Sequence, residues 1–156
     1  MATEIERKFL VKNMSWQEFS DKGTRYSQGY LVGSKFASVR VRIQGDKAFI
    51  NIKSATIDIT RQEFEYEIPF DEAKEMLETL CEKPLIEKTR YLLKNENHLW
   101  EIDVFSGDND GLIVAEIELS DKDEVFAKPV WLGEEVSDDQ RYYNVCLVTH
   151  PFKNWA

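Results

Sequence analysis

Glu4-Ile5-Glu6-Arg7-Lys8-Phe9-Leu10-Val11 alternates with a period of two: extended, it places Glu4, Glu6 and Lys8 on one face and Ile5, Phe9 and Val11 on the other. The same period recurs along the chain. It predicts further strands over Tyr26–Val32, Ser38–Gln44, Lys47–Ser54, Thr60–Pro69, Ile86–Lys94, His98–Phe105 and Leu112–Leu119, the first strand being Glu4–Val11. Gly45-Asp46 suits a tight hairpin turn, and Asn95-Glu96-Asn97 suits another. Helical signals are fewer. Asp71 reads as an N-cap, followed by Ala73, Met76, Leu77 and Leu80 on one apolar stripe. Ser120 is expected to cap a short helix, with Asp123 at its third position and Val125 and Phe126 turned inward. Ser137 is expected to cap a C-terminal helical segment over about 137–150, and Ser15–Asp21 is ambiguous. Eight strands joined by hairpins, with few helices, describe a mainly β (α+β) chain forming a closed or nearly closed antiparallel barrel.

The charged faces are unusually uniform. Arg40 and Arg42 alternate with Val39, Val41 and Ile43; Glu63 and Glu65 with Phe64 and Tyr66; Glu101 and Asp103 with Trp100, Ile102 and Val104; Glu116 and Glu118 with Ala115, Ile117 and Leu119. Lys53 ends its strand, and Lys88 and Arg90 share a face with Ile86 and Leu92, a less clean case. Two arrangements satisfy the pattern. Taken strand by strand, an apolar barrel interior with solvated charges outside is the more ordinary one. The alternative is a charged, water-filled tunnel with the apolar face packed outward. The scarcity of covering helices counts against the tunnel, whereas segregation by sign counts for it, because solvated faces mix signs. Two carboxylates about 5 Å apart repel by roughly 3 kcal/mol at an effective dielectric of about 20. A tunnel wall of Glu4, Glu6, Glu63, Glu65, Glu101, Asp103, Glu116 and Glu118 therefore needs cations, and hard divalent ions such as Mg²⁺ or Mn²⁺ suit oxygen ligands. The Arg and Lys rows in turn need a polyanion, which phosphate fits best. Such a tunnel calls for a metal-bound polyphosphate.

Composition bounds the remainder. The 156 residues suit one domain over 1–156 with a core that needs no disulfide or structural metal. A net charge of −9 argues against nucleic-acid and anionic-membrane partners, though a local basic pocket is compatible with it. No apolar run is long enough to span a membrane, and Glu4, Glu6, Arg7 and Lys8 stand where a signal peptide would be apolar. Two cysteines, Cys81 and Cys146, read as reduced, buried thiols, so a cytoplasmic location is expected. Oligomeric state, a homodimer included, is not legible.

Glu4-Ile5-Glu6-Arg7-Lys8 resembles the ExExK signature of the CYTH, or triphosphate tunnel metalloenzyme, superfamily. Further blocks resemble that family in its order: Gln28-Gly29-Tyr30-Leu31, Arg40-Val41-Arg42, Asn51-Ile52-Lys53, Arg61-Gln62-Glu63-Phe64-Glu65, Glu87-Lys88-Thr89-Arg90-Tyr91, Glu101-Ile102-Asp103-Val104-Phe105, Glu116-Ile117-Glu118, and Gly133-Glu134-Glu135-Val136 with Arg141-Tyr142. Ser38 departs from it, because many short bacterial relatives carry an acidic residue before the Arg-x-Arg pair. The resemblance reverses the ranking above and implies an eight-stranded antiparallel tunnel with charged walls. It implies that Lys8, Arg40, Arg42, Lys53, Lys88, Arg90 and, from the tunnel mouth, Arg141 grip phosphate. Glu4, Glu6, Glu63, Glu65, Glu116 and Glu118, with Asp103 as a further candidate, would hold Mg²⁺ or Mn²⁺. Lys8, Lys88, Glu63 and Glu116 are the expected catalytic residues. The implied reaction is hydrolysis of inorganic tripolyphosphate to pyrophosphate and phosphate. A class IV adenylate cyclase and an organic triphosphatase, such as one acting on thiamine triphosphate, are the alternatives. His98 and His150 are expected to be surface or packing residues, Trp16, Trp100, Trp131 and Trp155 packing anchors, and Glu134, Glu135, Asp138 and Asp139 a solvated cluster.

Overall fold

A computed structural model describes residues 2–34, 36–54 and 59–155. Every predicted strand is present: β1 (Ala2–Val11), β2 (Thr24–Gly33), β3 (Ala37–Gln44), β4 (Lys47–Ser54), β5 (Thr60–Ile68), β6 (Ile86–Asn95), β7 (His98–Phe105) and β8 (Ile113–Leu119). They hydrogen-bond in the order β5-β4-β3-β2-β6-β7-β8-β1, and β1 pairs again with β5. The result is a closed eight-stranded antiparallel barrel. Closure leaves no long open edge. It also fixes what faces what: around this ring β8 lies opposite β3, and the β1–β5 pair lies opposite β2–β6.

A short extra strand, β9 (Leu132–Glu135), joins the ring on the β1 edge, where Phe9 pairs with Glu135 and Val11 with Leu132. Sequence analysis does not anticipate it, because four residues with glycine second carry no alternation. Gly133 is needed there. A Cβ on it would stand 2.8 Å from the Leu10 carbonyl oxygen.

The main core lies outside the barrel wall. The alternating apolar residues Phe9, Trp100, Ile102, Ala115, Ile117 and Leu119 face outward and are covered by Trp16, Trp131 and Phe126 from loops. Trp100 is fully buried, with ring centroids 5.7 Å from Phe9, 5.7 Å from Phe126 and 5.3 Å from Trp131 in edge-on contacts. Trp100→Ala is therefore expected to cost about 3–5 kcal/mol in a denaturant titration. A loss below about 1 kcal/mol, the size of an ordinary substitution, would contradict this packing. On another side α1 (Phe70–Thr79) buries Ala73 and Leu77 against Val41 and Ala48. Gly29 lets β2 approach this layer, since a Cβ would meet the side chains of Cys81 and Leu85 at 2.8 Å.

The helical expectations fare less well. Pro69 occupies the α1 N-cap, Asp71 sits in the first turn where it favours the helix dipole, and Leu80 is exposed just past the end. No helix follows Ser120: the Glu124 carboxylate accepts from the Ser120 backbone N–H at 2.6 Å and closes a turn instead, leaving Val125 exposed while Phe126 packs inward. The segment after Ser137 is not one helix but a turn over Gln140–Tyr142, capped by Asp139, and α2 (Asn144–Thr149). Residues Ser15–Glu18 form a single 3₁₀ turn that buries Trp16. Among the described residues no helix is long and apolar enough to cross a membrane.

Candidate active site

The inward faces of the strands enclose a cavity of about 310 Å³. Among the described residues seven cations line it (Lys8, Arg40, Arg42, Lys53, Arg61, Lys88 and Arg90) and seven carboxylates (Glu4, Glu6, Glu63, Glu65, Glu101, Glu116 and Glu118). The interior is thus the charged face. The cost of the apolar face is met outside, under Trp16, Trp131, Phe126 and α1 rather than under many helices. The register sets like charges beside one another at some rungs and opposite charges at others. On β1 and β8 Glu6 lies directly across from Glu118, and Lys8 from Glu116, while Glu116 also pairs with Glu101 of β7. Arg40 and Arg42 stand on β3, across the bore from Glu116 and Glu118.

Ion pairs tie the rows together. Lys53 Nζ lies 3.0 Å from Glu4 and 3.7 Å from Glu63, Arg42 lies 3.0 Å from Glu65, and Lys8 lies 3.4 Å from Glu116. Glu6 and Glu118 have no cationic partner among the described residues. Burial, then the neighbouring Glu116 and Glu4, push the Glu6 carboxyl up to about 8. Glu118 and Glu63 are raised as well, first by burial and in both cases by Glu4. Glu116 goes the other way. Burial opposes its charge, yet Lys8, Arg90 and Lys88 outweigh that and hold it well below the ordinary carboxylate range.

Asp103 does not line the cavity. It is fully buried on the inward face of β7, against the head groups of Lys88 and Arg90, and its oxygens accept from Lys88 Nζ at 2.7 Å and from Arg90 Nε and Nη2 at 2.8 and 2.9 Å. Both of its oxygens are engaged by these two cations. Lys88 is also buried, and burial pushes its ammonium down to about 8 against the pull of Asp103. Arg141 is not brought to the site either: it is exposed, forked onto Asp139 at 2.7 Å and stacked on Trp155 at 4.9 Å. The other expected phosphate and metal residues converge on the cavity.

Sequence reading missed Arg61, Asn51, Tyr26, Tyr30, Tyr143 and Asn144 in the lining. Arg61 and Asn51 carried a usable signal, each two residues before a counted charge on the same strand face. Tyr143 and Asn144 carried none, because no strand period extends into the C-terminal turn. Of the remaining residues, His98 bonds Glu124 at 2.6 Å and His150 is exposed, so neither reaches the cavity.

The donor set accepts both expected guests. Among the described residues Arg40 Nε and Arg42 Nε are buried donors without acceptors, suited to anionic oxygens. The carboxylates Glu4, Glu6 and Glu118 are hard oxygen donors, and a divalent cation among them would offset both the burial and the repulsion that raise Glu6. Among the described residues no three such groups already form a metal cage, so the side chains must turn from their present partners to build one.

A CYTH-domain family model matches residues 2–146. An inorganic triphosphatase of Acetivibrio thermocellus is 50% identical over 155 residues, 99% of either chain. An inorganic triphosphatase of Nitrosomonas europaea is 40% identical over 149 residues, 93% of this chain and 96% of that one. The crystal structure of an inorganic triphosphatase superposes with a TM-score of 0.66 at 37% identity, covering 95% of each chain.

Proposed function

Because this chain belongs to the CYTH-domain family, we propose that it is a divalent-metal-dependent enzyme that hydrolyses inorganic tripolyphosphate to pyrophosphate and phosphate. One observation carries the reading: Arg40 and Arg42 face Glu116 and Glu118 across an enclosed cavity, so anion and cation must bind side by side. Arg40, Arg42, Lys53 and Arg90 clamp the phosphate oxygens, the arginines as planar forks and Lys53 as a point charge. Glu4, Glu6, Glu63, Glu65, Glu116 and Glu118 hold Mg²⁺ or Mn²⁺. When bound, the metal supplies Lewis-acid polarisation of phosphate oxygens and activation of the attacking water. Lys8 on β1 and Lys88 on β6 reach into the cavity from facing strand pairs as fixed donors for charge that develops on the transferred group and the leaving pyrophosphate. Burial lowers Lys88, but at about 8 it still carries its proton at neutral pH. The Asp103 carboxylate fixes the Lys88 and Arg90 head groups before substrate arrives. The two free thiols, Cys81 and Cys146, suit a reducing compartment such as the cytoplasm.

The cavity wall also favours an inorganic substrate. Among the described residues, apart from tyrosines, its apolar lining is Ile59 and Val145, little surface for a purine or a thiazolium ring. Phosphate release from tripolyphosphate and cyclic AMP formation from ATP, assayed side by side with Mg²⁺ and Mn²⁺, test this. Phosphate release should dominate; faster cyclic AMP formation would make the chain a cyclase. Chelation by EDTA is expected to abolish turnover and either metal to restore it. Undiminished activity in EDTA would remove the metal from the mechanism.

A further inference from the structure

Two aromatic side chains interrupt the inward rows beside one arginine. On β4, Phe49 shares the face of Asn51 and Lys53, and on β2, Tyr26 shares that of Gln28 and Tyr30. Both come to Arg42 on β3, the strand between them. Phe49 stands directly across from Arg42, and Tyr26 lies two residues along the same face from Gln28, the partner of Arg42 on the other side. The guanidinium carbon sits 5.1 Å from the centre of the Phe49 ring and 5.6 Å from that of Tyr26, within the range of a cation–π contact. Tyr26 also lies 4.9 Å from the Arg90 guanidinium and 5.8 Å from Lys88 Nζ.

These cations do not depend on the ring equally. Arg90 is forked onto Asp103 and bonded to Glu101, and Lys88 is held by Asp103 at 2.7 Å and by Asn144 at 3.3 Å. Arg42 has far less. Among the described residues its one ion pair runs from Nη2 to Glu65, at 3.0 Å, and its buried Nε has no acceptor. Burial, then Arg40 alongside, works against its charge and lowers its guanidinium from the ordinary value. A long side chain so placed would exchange rotamers until an anion arrived, and ordering it then would cost affinity. Electron-rich ring faces from the two flanking strands oppose this, because they attract the cation without occupying its N–H donors. Resting on the functional reading above, we propose that Tyr26 and Phe49 are positioning residues for the phosphate clamp: a ring from each flanking strand holds the Arg42 guanidinium in place before substrate arrives, with Nε open to a phosphate oxygen.

A double-mutant cycle on tripolyphosphate affinity, measured by calorimetry in metal-free buffer, tests this. Tyr26→Leu should weaken binding about tenfold, and Tyr26→Phe, which keeps the ring, should restore it to within about twofold of wild type. Arg42→Met removes the guanidinium but keeps an apolar stem between the rings. In that background Tyr26→Leu should cost less than about threefold, because the group it positions is gone. Fully additive losses, or a Phe variant as weak as the Leu one, would overturn the proposal. Phe49 is only half-buried, so Phe49→Leu carries the same cycle should Tyr26→Leu not fold, with the same coupling expected. Turnover with Mg²⁺ is read on the same proteins. KM should rise about tenfold in Tyr26→Leu while kcat stays within about threefold, the pattern of lost uniform binding. A fall in kcat with KM unchanged would equally overturn the positioning role. Failure of the substrate assignment looks different. Wild-type protein that shows the coupling but releases no phosphate from tripolyphosphate sinks that assignment and leaves the aromatic clip standing. Active protein with additive losses does the reverse.

Discussion

Glu116→Gln is expected to lower tripolyphosphate turnover by roughly 1000-fold at saturating metal, equivalent to about 4 kcal/mol of transition-state stabilisation. The change keeps the shape of the side chain and removes its charge. In the protein that charge is secure: burial opposes it, but Lys8, Arg90 and Lys88 keep the carboxylate ionised well below the ordinary range. It is therefore a permanent anionic oxygen in a wall where Glu6 and Glu118 are raised. Losing it should weaken metal binding more than phosphate binding. Metal-free tripolyphosphate affinity, measured calorimetrically, should hold or improve, because Lys8 at 3.4 Å is released from its partner and the polyanion meets one fewer negative charge. Lost turnover with retained metal-free binding separates a catalytic enzyme from a passive polyphosphate binder, which has no use for the carboxylates. A variant with kcat within tenfold of wild type would show that Glu116 is no metal ligand.

Asp103→Asn should instead act on stability. The carboxylate is fully buried and accepts from both Lys88 and Arg90, so its loss leaves two buried cations with weakened partners. Removing one member of a buried ion pair typically costs about 3–5 kcal/mol, which for a domain of this size lowers Tm by roughly 10 °C. Tripolyphosphate without metal should restore much of the loss, since the polyanion supplies the missing negative charge. The pH dependence follows from the depressed acidity of Asp103, where Arg90 and Lys88 outweigh the opposing effect of burial. With the folded pKa below the unfolded one, the carboxylate stabilises the protein fully above the unfolded value. That contribution is lost as pH falls through the folded value. The gap between wild type and variant should therefore be widest at neutral pH and close on acidification. A gap of the same size from neutral to strongly acid pH would mean that the charge of Asp103 is not what holds the two cations.

Much of this was legible from residue order. Strand positions followed from period-two alternation, and both tight turns fell where Gly45 and Glu96 adopt positive φ. The rows of charge were visible one strand at a time. Arg61 and Asn51 were recoverable from the same parity, two residues before Glu63 and Lys53. Helical pieces read poorly because they are too short for a 3.6-residue period to repeat. Ser120 looked like a cap, yet a long-armed Glu124 took its backbone N–H and closed a turn. Asp103 shared a face with Glu101, and nothing local distinguishes a carboxylate covered by two cations from one that reaches the cavity.

By itself, then, the amino-acid order determined the strands, their two-sidedness and the rows of opposite sign, because a pleated chain sends successive side chains to opposite faces whatever surrounds it. It left open which face would turn inward, since an alternating strand is equally well formed either way round. Tertiary structure decided that, through Trp16, Trp131, Phe126 and α1, which bury the apolar rows from outside and leave the charged rows to one another. It also decided where the charged bore ends. Tyr142–Asn144 and α2 arrive at Lys8, Lys88 and Ile86 only because the closed ring and β9 carry the C-terminal segment there, a relation between residues more than fifty positions apart that no local period encodes.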